Sequence, residues 1–347
     1  IVLKKKKYNL HFDFFLLFPI TLILVLAITL SNDLFIGHDS RLYWIEKAKI
    51  FYNDQFVNDD KTIKSEYPHY GTYLWAFIWK INYLEHEYIG RIFYLLVYVF
   101  SISYLVNSFN TKVVYKMIIV LIIILLTYEN KHFDGRQDIL LFCYNMFISK
   151  FLFEIFLKNR EIIKNLILII LTLNLMIWTK TEGMLYLIIY GLILIVLLKK
   201  KLKLLIIISI FAIITIKISF YIYWNISLNP SAQMYNSTIL QRFGEIDIIY
   251  RIYTIFYWYI INFIKNPLII TSIAFVVIIF LNNKSFLKKF NYIFIFYLLI
   301  TLGIFASYLP TNYDFPFAMI GSFDRIIFQH SGIFLIPIIH FFNEKFK

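Results

Sequence analysis

Residues 14–30 read FFLLFPITLILVLAITL, without a single charge, and after a short polar step residues 37–44 read GHDSRLYW. A segment needs about 20 mostly apolar residues to cross the hydrocarbon core of a bilayer, and the first stretch reaches that with its flanks. Comparable runs recur near 88–106, 113–127, 139–157, 166–178, 184–198, 204–224, 267–281, 290–308 and 326–343. With 60% of the 347 residues hydrophobic, the chain is too apolar for a soluble globular protein. The pattern predicts an all-α polytopic membrane protein with about ten transmembrane helices, the runs at 113–127, 166–178 and 184–198 being the shortest. Residues 1–347 read as one transmembrane domain with no soluble C-terminal domain. Aromatic residues make up 20% of the chain, and many Tyr and Trp fall at run ends, where an amphipathic ring suits the headgroup layer.

The formal charge of +13 is not spread as a nucleic-acid-binding patch would be. It comes in short blocks between apolar runs: Lys4–Lys7, Lys112 with Lys116, Lys158 to Lys164, Lys199–Lys203, Lys284 to Lys289, and Lys345 with Lys347. Blocks at every second turn are the positive-inside distribution, which places both termini in the cytoplasm. The expected external segments are then 31–69, 128–138, 179–183, 225–249 and 309–325. The first run lacks a following small-residue cleavage site, so it reads as a retained helix. Cys143 is the only cysteine, which excludes an intramolecular disulfide or a cysteine-based metal centre, and it reads as a buried, inert thiol.

On this topology the polar chemistry is one-sided. Asp39, Glu66, Asp134, Asp138, Glu182, Asp314 and Asp324 all lie in external segments, while the cytoplasmic turns are short and basic. The loop at 31–69 is the longest. Within it, residues 39–52 put Leu42, Ile45, Lys49 and Tyr52 on one helical face and Trp44, Ala48 and Phe51 on the next, predicting a short interfacial helix with Asp39 or Ser40 near its N-cap. Residues 70–84 and 250–265 are aromatic-rich and read as re-entrant or interfacial helices. No Gly-x-Gly-x-x-Gly or Walker-type loop occurs, and no polar stretch is long enough for a nucleotide-binding domain.

Gly37-His38-Asp39-Ser40-x-x-Tyr43, Glu66-Tyr67-Pro68-His69-Tyr70, Asp134-Gly135-Arg136-Gln137-Asp138 and Lys180-Thr181-Glu182-Gly183 follow one another in that order. Together they resemble the GT-C superfamily of integral-membrane glycosyltransferases, especially bacterial relatives of protein O-mannosyltransferases and lipid A aminoarabinose transferases. Gly37-His38-Asp39-Ser40-x-x-Tyr43 is similar to the acidic motif that opens their first external loop. Glu66-Tyr67-Pro68-His69-Tyr70 is similar to the Tyr-Pro-Pro-Leu-type segment that closes it, with His69 in place of the second proline. Asp134-Gly135-Arg136-Gln137-Asp138 resembles the second external acid, and Lys180-Thr181-Glu182-Gly183 a Lys-Asn-Glu-Gly element. Tyr308, Asp314 and Ser322-x-Asp324-Arg325 extend the resemblance towards the end of the chain.

The resemblance implies transfer of a sugar from a polyprenyl-phosphate carrier to a lipid, glycan or protein acceptor, at the outer face of a bacterial inner membrane. Such transfer needs a base, cations for the departing phosphate, and alignment of the anomeric carbon. Asp39 is the candidate base, against the alternative that it caps the interfacial helix. Asp134 and Asp138, four residues apart and able to share one side of a short helix, compete for a second acidic role, against pairing with Lys131 or Arg136. Lys180 and Arg325 are the candidate phosphate cations, each beside an acid, Glu182 and Asp324, with which it could instead form a local ion pair. Glu66, Tyr67, His69 and Glu182 are further candidate substrate contacts. No cofactor is required; a divalent metal could be held by the carboxylates, although no His/Glu spacing demands one. An O-antigen polymerase or ligase, and a non-enzymatic flippase or transporter of lipid-linked glycans, are the competing readings. The first would put its key Arg and His residues in large later loops, and the second its ionisable residues near mid-span.

Overall fold

The computed structural model describes residues 14–33, 35–55, 68–107, 111–156, 159, 161–198, 200–228, 248–282, 291–309 and 315–345. Among these residues the regular structure is entirely helical. The first half comprises α1 (Phe14–Ser31), a π-helical turn (Ser40–Ile45) running into α2 (Glu46–Tyr52), α3 (Tyr70–Asn82), α4 (Glu87–Asn107), α5 (Val113–Thr127) and α6 (Asp138–Phe156). The second half comprises α7 (Ile162–Thr179), α8 (Gly183–Leu197), α9 (Lys200–Leu228), α10 (Ile248–Lys265), α11 (Pro267–Asn282), α12 (Asn291–Tyr308), α13 (Phe315–Ser331) and α14 (Leu335–Lys345).

Each apolar run of the sequence is helical, but the helices differ in reach. Glu87–Asn107, Asp138–Phe156, Ile162–Thr179, Leu202–Ser219 and the joined stretch Gly321–Phe342 are long and apolar enough to cross a membrane. A sixth span results if the bent pair α10–α11 counts as one, while Leu17–Ser31, Val113–Thr127, Gly183–Leu197 and Tyr292–Tyr308 are shorter. The chain is thus an α-helical protein with the make-up of a multi-pass membrane protein. Its outward faces agree, since Leu24, Ile28, Leu125 and Phe211 are more than three-fifths exposed, apolar surface of the kind that suits contact with lipid.

The centre of the bundle is α6. It is apolar nearly all round and therefore buried nearly all round, between α4, α7 and α13. The last apolar run is interrupted: a 3-10 turn at Gly332–Phe334 separates α13 from α14. Pro337 explains the interruption, because it has no N–H to give to the preceding turn and fits only the start of a new helix.

Two predicted interfacial segments have matching shapes. With 13 residues, α3 is about 20 Å long at 1.5 Å per residue, too short to span. Helix α10 buries Thr254, Ile255 and Tyr259 on one face, exposes Tyr253, Phe256 and Tyr257 on the other, and meets α11 at a 75° bend. The corner is written as Asn266-Pro267. Pro267 takes the first position of α11, and Asn266 Oδ1 accepts the Ile269 N–H at 3.2 Å, satisfying a donor that a helix start leaves open.

Candidate functional site

Four distant segments meet at one end of the bundle. Asp39 stands just before the π-helical turn that follows α1, Asp138 is the first residue of α6, Lys180 and Glu182 lie in the link between α7 and α8, and Arg325 is on α13. Arg325 Nη1 donates to Asp39 Oδ2 at 2.8 Å and Nε to Asp138 Oδ2 at 2.9 Å. Lys180 Nζ lies 2.7 Å from Asp138 Oδ1 and 2.7 Å from Glu182 Oε1. Gln329 Nε2, one turn beyond Arg325, donates to the same Oδ1 of Asp138. The five charged groups form one continuous chain, Asp39–Arg325–Asp138–Lys180–Glu182.

A cavity of ≈ 170 Å³ opens beside this chain, bounded by Asp39, Lys180, Glu182 and Arg325 and walled by Tyr43, Trp44, Tyr308 and Ser322. Exposure separates the three acids. The Asp138 side chain is 2% exposed, Glu182 28% and Asp39 42%, so Asp39 and Glu182 can meet a ligand while Asp138 is sealed behind its partners. Burial alone would raise the Glu182 carboxyl, but the charge and hydrogen bond of Lys180 outweigh it and bring it below its ordinary value.

The local backbone explains these positions. Asp39 makes no capping hydrogen bond to the turn it precedes, so its carboxylate is free to reach Arg325. The wide π-helical turn buries Ser40, Trp44 and Ile45 against the bundle and brings Tyr43 and Trp44 to the cavity wall. The α7–α8 link is held by the Gly183 N–H on Lys180 O at 3.0 Å, which keeps Lys180 and Glu182 close enough to pair.

The expectation that Asp134 and Asp138 share one side of a helix is corrected. Gly135 sits at φ +101°, a backbone conformation natural to glycine, and α6 begins only at Asp138. Asp134 therefore turns away from the cavity. It accepts the Gly37 N–H at 3.2 Å and pairs with Arg136 at 2.9 Å, tying the start of the first loop to the start of α6. A Cβ at Gly37 would lie 2.6 Å from the Asp134 carboxylate, so the first motif needs glycine for this approach. Arg325 also departs from its expected neighbour: Asp324 pairs instead with Lys131 at 2.7 Å, across from Glu129. The local Lys180–Glu182 pair does form, as part of the larger chain.

His69 precedes α3 and packs against Phe51 and Tyr73, outside the cavity wall. Burial, with Lys47 adding to it, pushes its imidazole down to about 3. Glu66, Tyr67 and Asp314 lie outside the described residues. Lys217, near the end of the apolar stretch Leu202–Ser219, places its ammonium 4.3 Å from the centre of the Trp178 ring. Among the described residues no three His, Cys, Asp or Glu side chains are grouped to hold a metal ion. Gln329 was not singled out from sequence. Its signal was a lone amide four residues after Arg325, on the face an apolar helix turns inward.

No family model, no curated protein and no solved structure matches the chain.

Proposed function

We propose that this chain is a glycosyltransferase of GT-C-like architecture, with about ten spans, that moves a sugar from a polyprenyl-phosphate carrier to an envelope acceptor. The observation that supports the reading is the Asp39–Arg325–Asp138–Lys180–Glu182 chain, assembled from four distant segments around one cavity. Buried charge is costly in a membrane protein and tends to persist where it is used. In the proposed step the acceptor hydroxyl oxygen bonds to the anomeric carbon as the bond from that carbon to the phosphate oxygen breaks. The phosphate leaves with the electron pair, facing Arg325 and Lys180, and the hydroxyl proton passes to Asp39 and on to water.

The charge balance gives the step an order. The chain holds three carboxylates against two cations, so an entering phosphate meets cations already paired. Asp138 is sealed, whereas Asp39 is half-exposed and, among the described residues, held through Arg325 Nη1. A donor phosphate taking that guanidinium edge displaces the Asp39 carboxylate, and the base is freed when there is a donor to use. Tyr43, Trp44 and Tyr308 on the cavity wall supply aromatic faces for a sugar ring.

On this reading the site faces outward from a bacterial inner membrane and both termini lie inside, the orientation that the positive-inside pattern of lysine blocks favours. The test is incubation of purified protein in lipid nanodiscs with radiolabelled polyprenyl-phosphate sugars and a membrane extract as acceptor. Movement of label to an acceptor supports the reading. Binding or translocation of the intact carrier without label transfer would support a flippase instead, and no interaction would end both.

A further inference from the structure

Arg325 and Gln329 stand four residues apart on α13, so they share a face one above the other. Both reach the same carboxylate, Arg325 Nε to Oδ2 of Asp138 at 2.9 Å and Gln329 Nε2 to Oδ1. Gln329 is fully buried. Its other amide atom is engaged too, since Tyr186 Oη donates to Gln329 Oε1 at 3.4 Å. Its backbone carbonyl accepts Asn145 Nδ2 at 2.9 Å, and Tyr190 Oη donates to Asn145 Oδ1 at 2.7 Å, which anchors this turn of α13 to α6 and α8.

These contacts fix which way the amide faces. The ionised Asp138 carboxylate only accepts, so the amide turns its NH₂ to it and leaves its oxygen for the Tyr186 hydroxyl; the reversed amide would set oxygen against carboxylate. A neutral donor is also what the position requires. Asp138 already takes Lys180 and Arg325, and a carboxylate at 329 would meet it as a like charge in a buried site.

We propose that Gln329 is a positioning residue: it fixes the Asp138 carboxylate, which in turn holds Arg325 by its Nε edge and leaves the Nη1 end directed at the cavity. The claim rests on the transferase reading for its consequence, presentation of Arg325 to a donor phosphate. It rests on geometry alone for the contact with Asp138. A side chain of this kind touches no substrate yet sets how tightly the phosphate is held.

The informative variant is Gln329→Glu. A protonated carboxyl at that position can donate to Asp138 as the amide does, whereas an ionised one repels it. We expect the ratio of variant to wild-type Kd for sugar-free polyprenyl phosphate, read by tryptophan fluorescence with Trp44 on the cavity wall, to be near unity in acid. It should rise about tenfold as the new carboxyl ionises, the worth of one charge-assisted contact. Gln329→Met should weaken binding by a ratio that does not vary with pH, and Tyr186→Phe should do so more mildly. A ratio near unity for Gln329→Met, with that for Gln329→Glu flat and near unity across the range, would overturn the proposal. Melting curves in detergent keep the two claims apart. If the wild type binds no polyprenyl phosphate, the transferase reading fails, and the Gln329 contact is read from the melting temperature alone. Relative to wild type, Gln329→Glu must lose thermal stability as pH rises; an identical profile would remove Gln329 from its place beside Asp138.

Discussion

Arg325 holds Asp39 and Asp138 at once, through Nη1 at 2.8 Å and Nε at 2.9 Å, although the two acids lie 286 and 187 residues away along the chain. The two contacts are unequal. Asp138 is sealed and is shared with Lys180 and Gln329, while Asp39 is 42% exposed and borders the cavity. Arg325 is therefore anchored on one edge and available on the other.

That asymmetry separates two conservative substitutions. Asp138→Asn leaves Lys180 and Arg325 buried with less compensating charge, and breaking a buried pair by removing one partner costs about 3–5 kcal/mol. We expect a clear fall in the thermal midpoint in detergent. A midpoint equal to wild type would mean that the chain of ion pairs does not hold α6, α8 and α13 together. Asp39, half in solvent, should change the midpoint little when made Asn.

Acid should destabilise the fold through its buried imidazoles. His132, in a 3-10 turn at Asn130–Phe133 before α6 and stacked on Phe328 at 3.6 Å, is pushed down to about 3 by burial and by Lys131, and His69 likewise to about 3. In the unfolded chain both titrate near their ordinary value, so between pH about 6.5 and about 3 the unfolded state binds more protons. Stability is then fully present above pH about 6.5 and declines as pH falls through that window. The thermal midpoint should drop from pH 7 to pH 5, and His132→Phe should flatten the decline; a midpoint that rises on acidification would contradict the assignment.

Topology gives a third expectation. On the positive-inside rule, the lysine blocks predict Ser65 outside and Lys200 inside. Single cysteines at these positions should react with a membrane-impermeant maleimide from opposite sides of right-side-out vesicles. The buried Cys143 should stay silent in that assay. Reaction of both from one side would invert or break the topology.

Much of this was legible in the sequence. The apolar runs gave the helices because hydrophobic length is local information, and the sidedness of the acids gave the end of the bundle at which they gather. Pairing was harder. Arg325 bypasses its neighbour Asp324 for two acids far along the chain, because the orientation of α13 against α6 decides it and no local spacing encodes that. Asp134 and Asp138 looked equivalent at four residues apart, but Gly135 turns the chain between them and sends Asp134 to Gly37. Gln329 went unnoticed because one amide in an apolar run carries no pattern. The number of spans is less legible, because short runs such as 113–127, which forms a helix of 15 residues, sit near the length at which local sequence stops separating a span from a shorter buried helix.

The most direct measurement of the central claim is single-turnover transfer by Asp39→Asn beside wild type, with the same polyprenyl-phosphate sugar and with donor binding measured in parallel. Loss of a general base lowers turnover by about 10²–10⁴-fold. Donor binding should persist or tighten, because Arg325 no longer has to leave a carboxylate to take the phosphate. Transfer at wild-type rate by Asp39→Asn would contradict the account, and so would donor binding lost together with transfer.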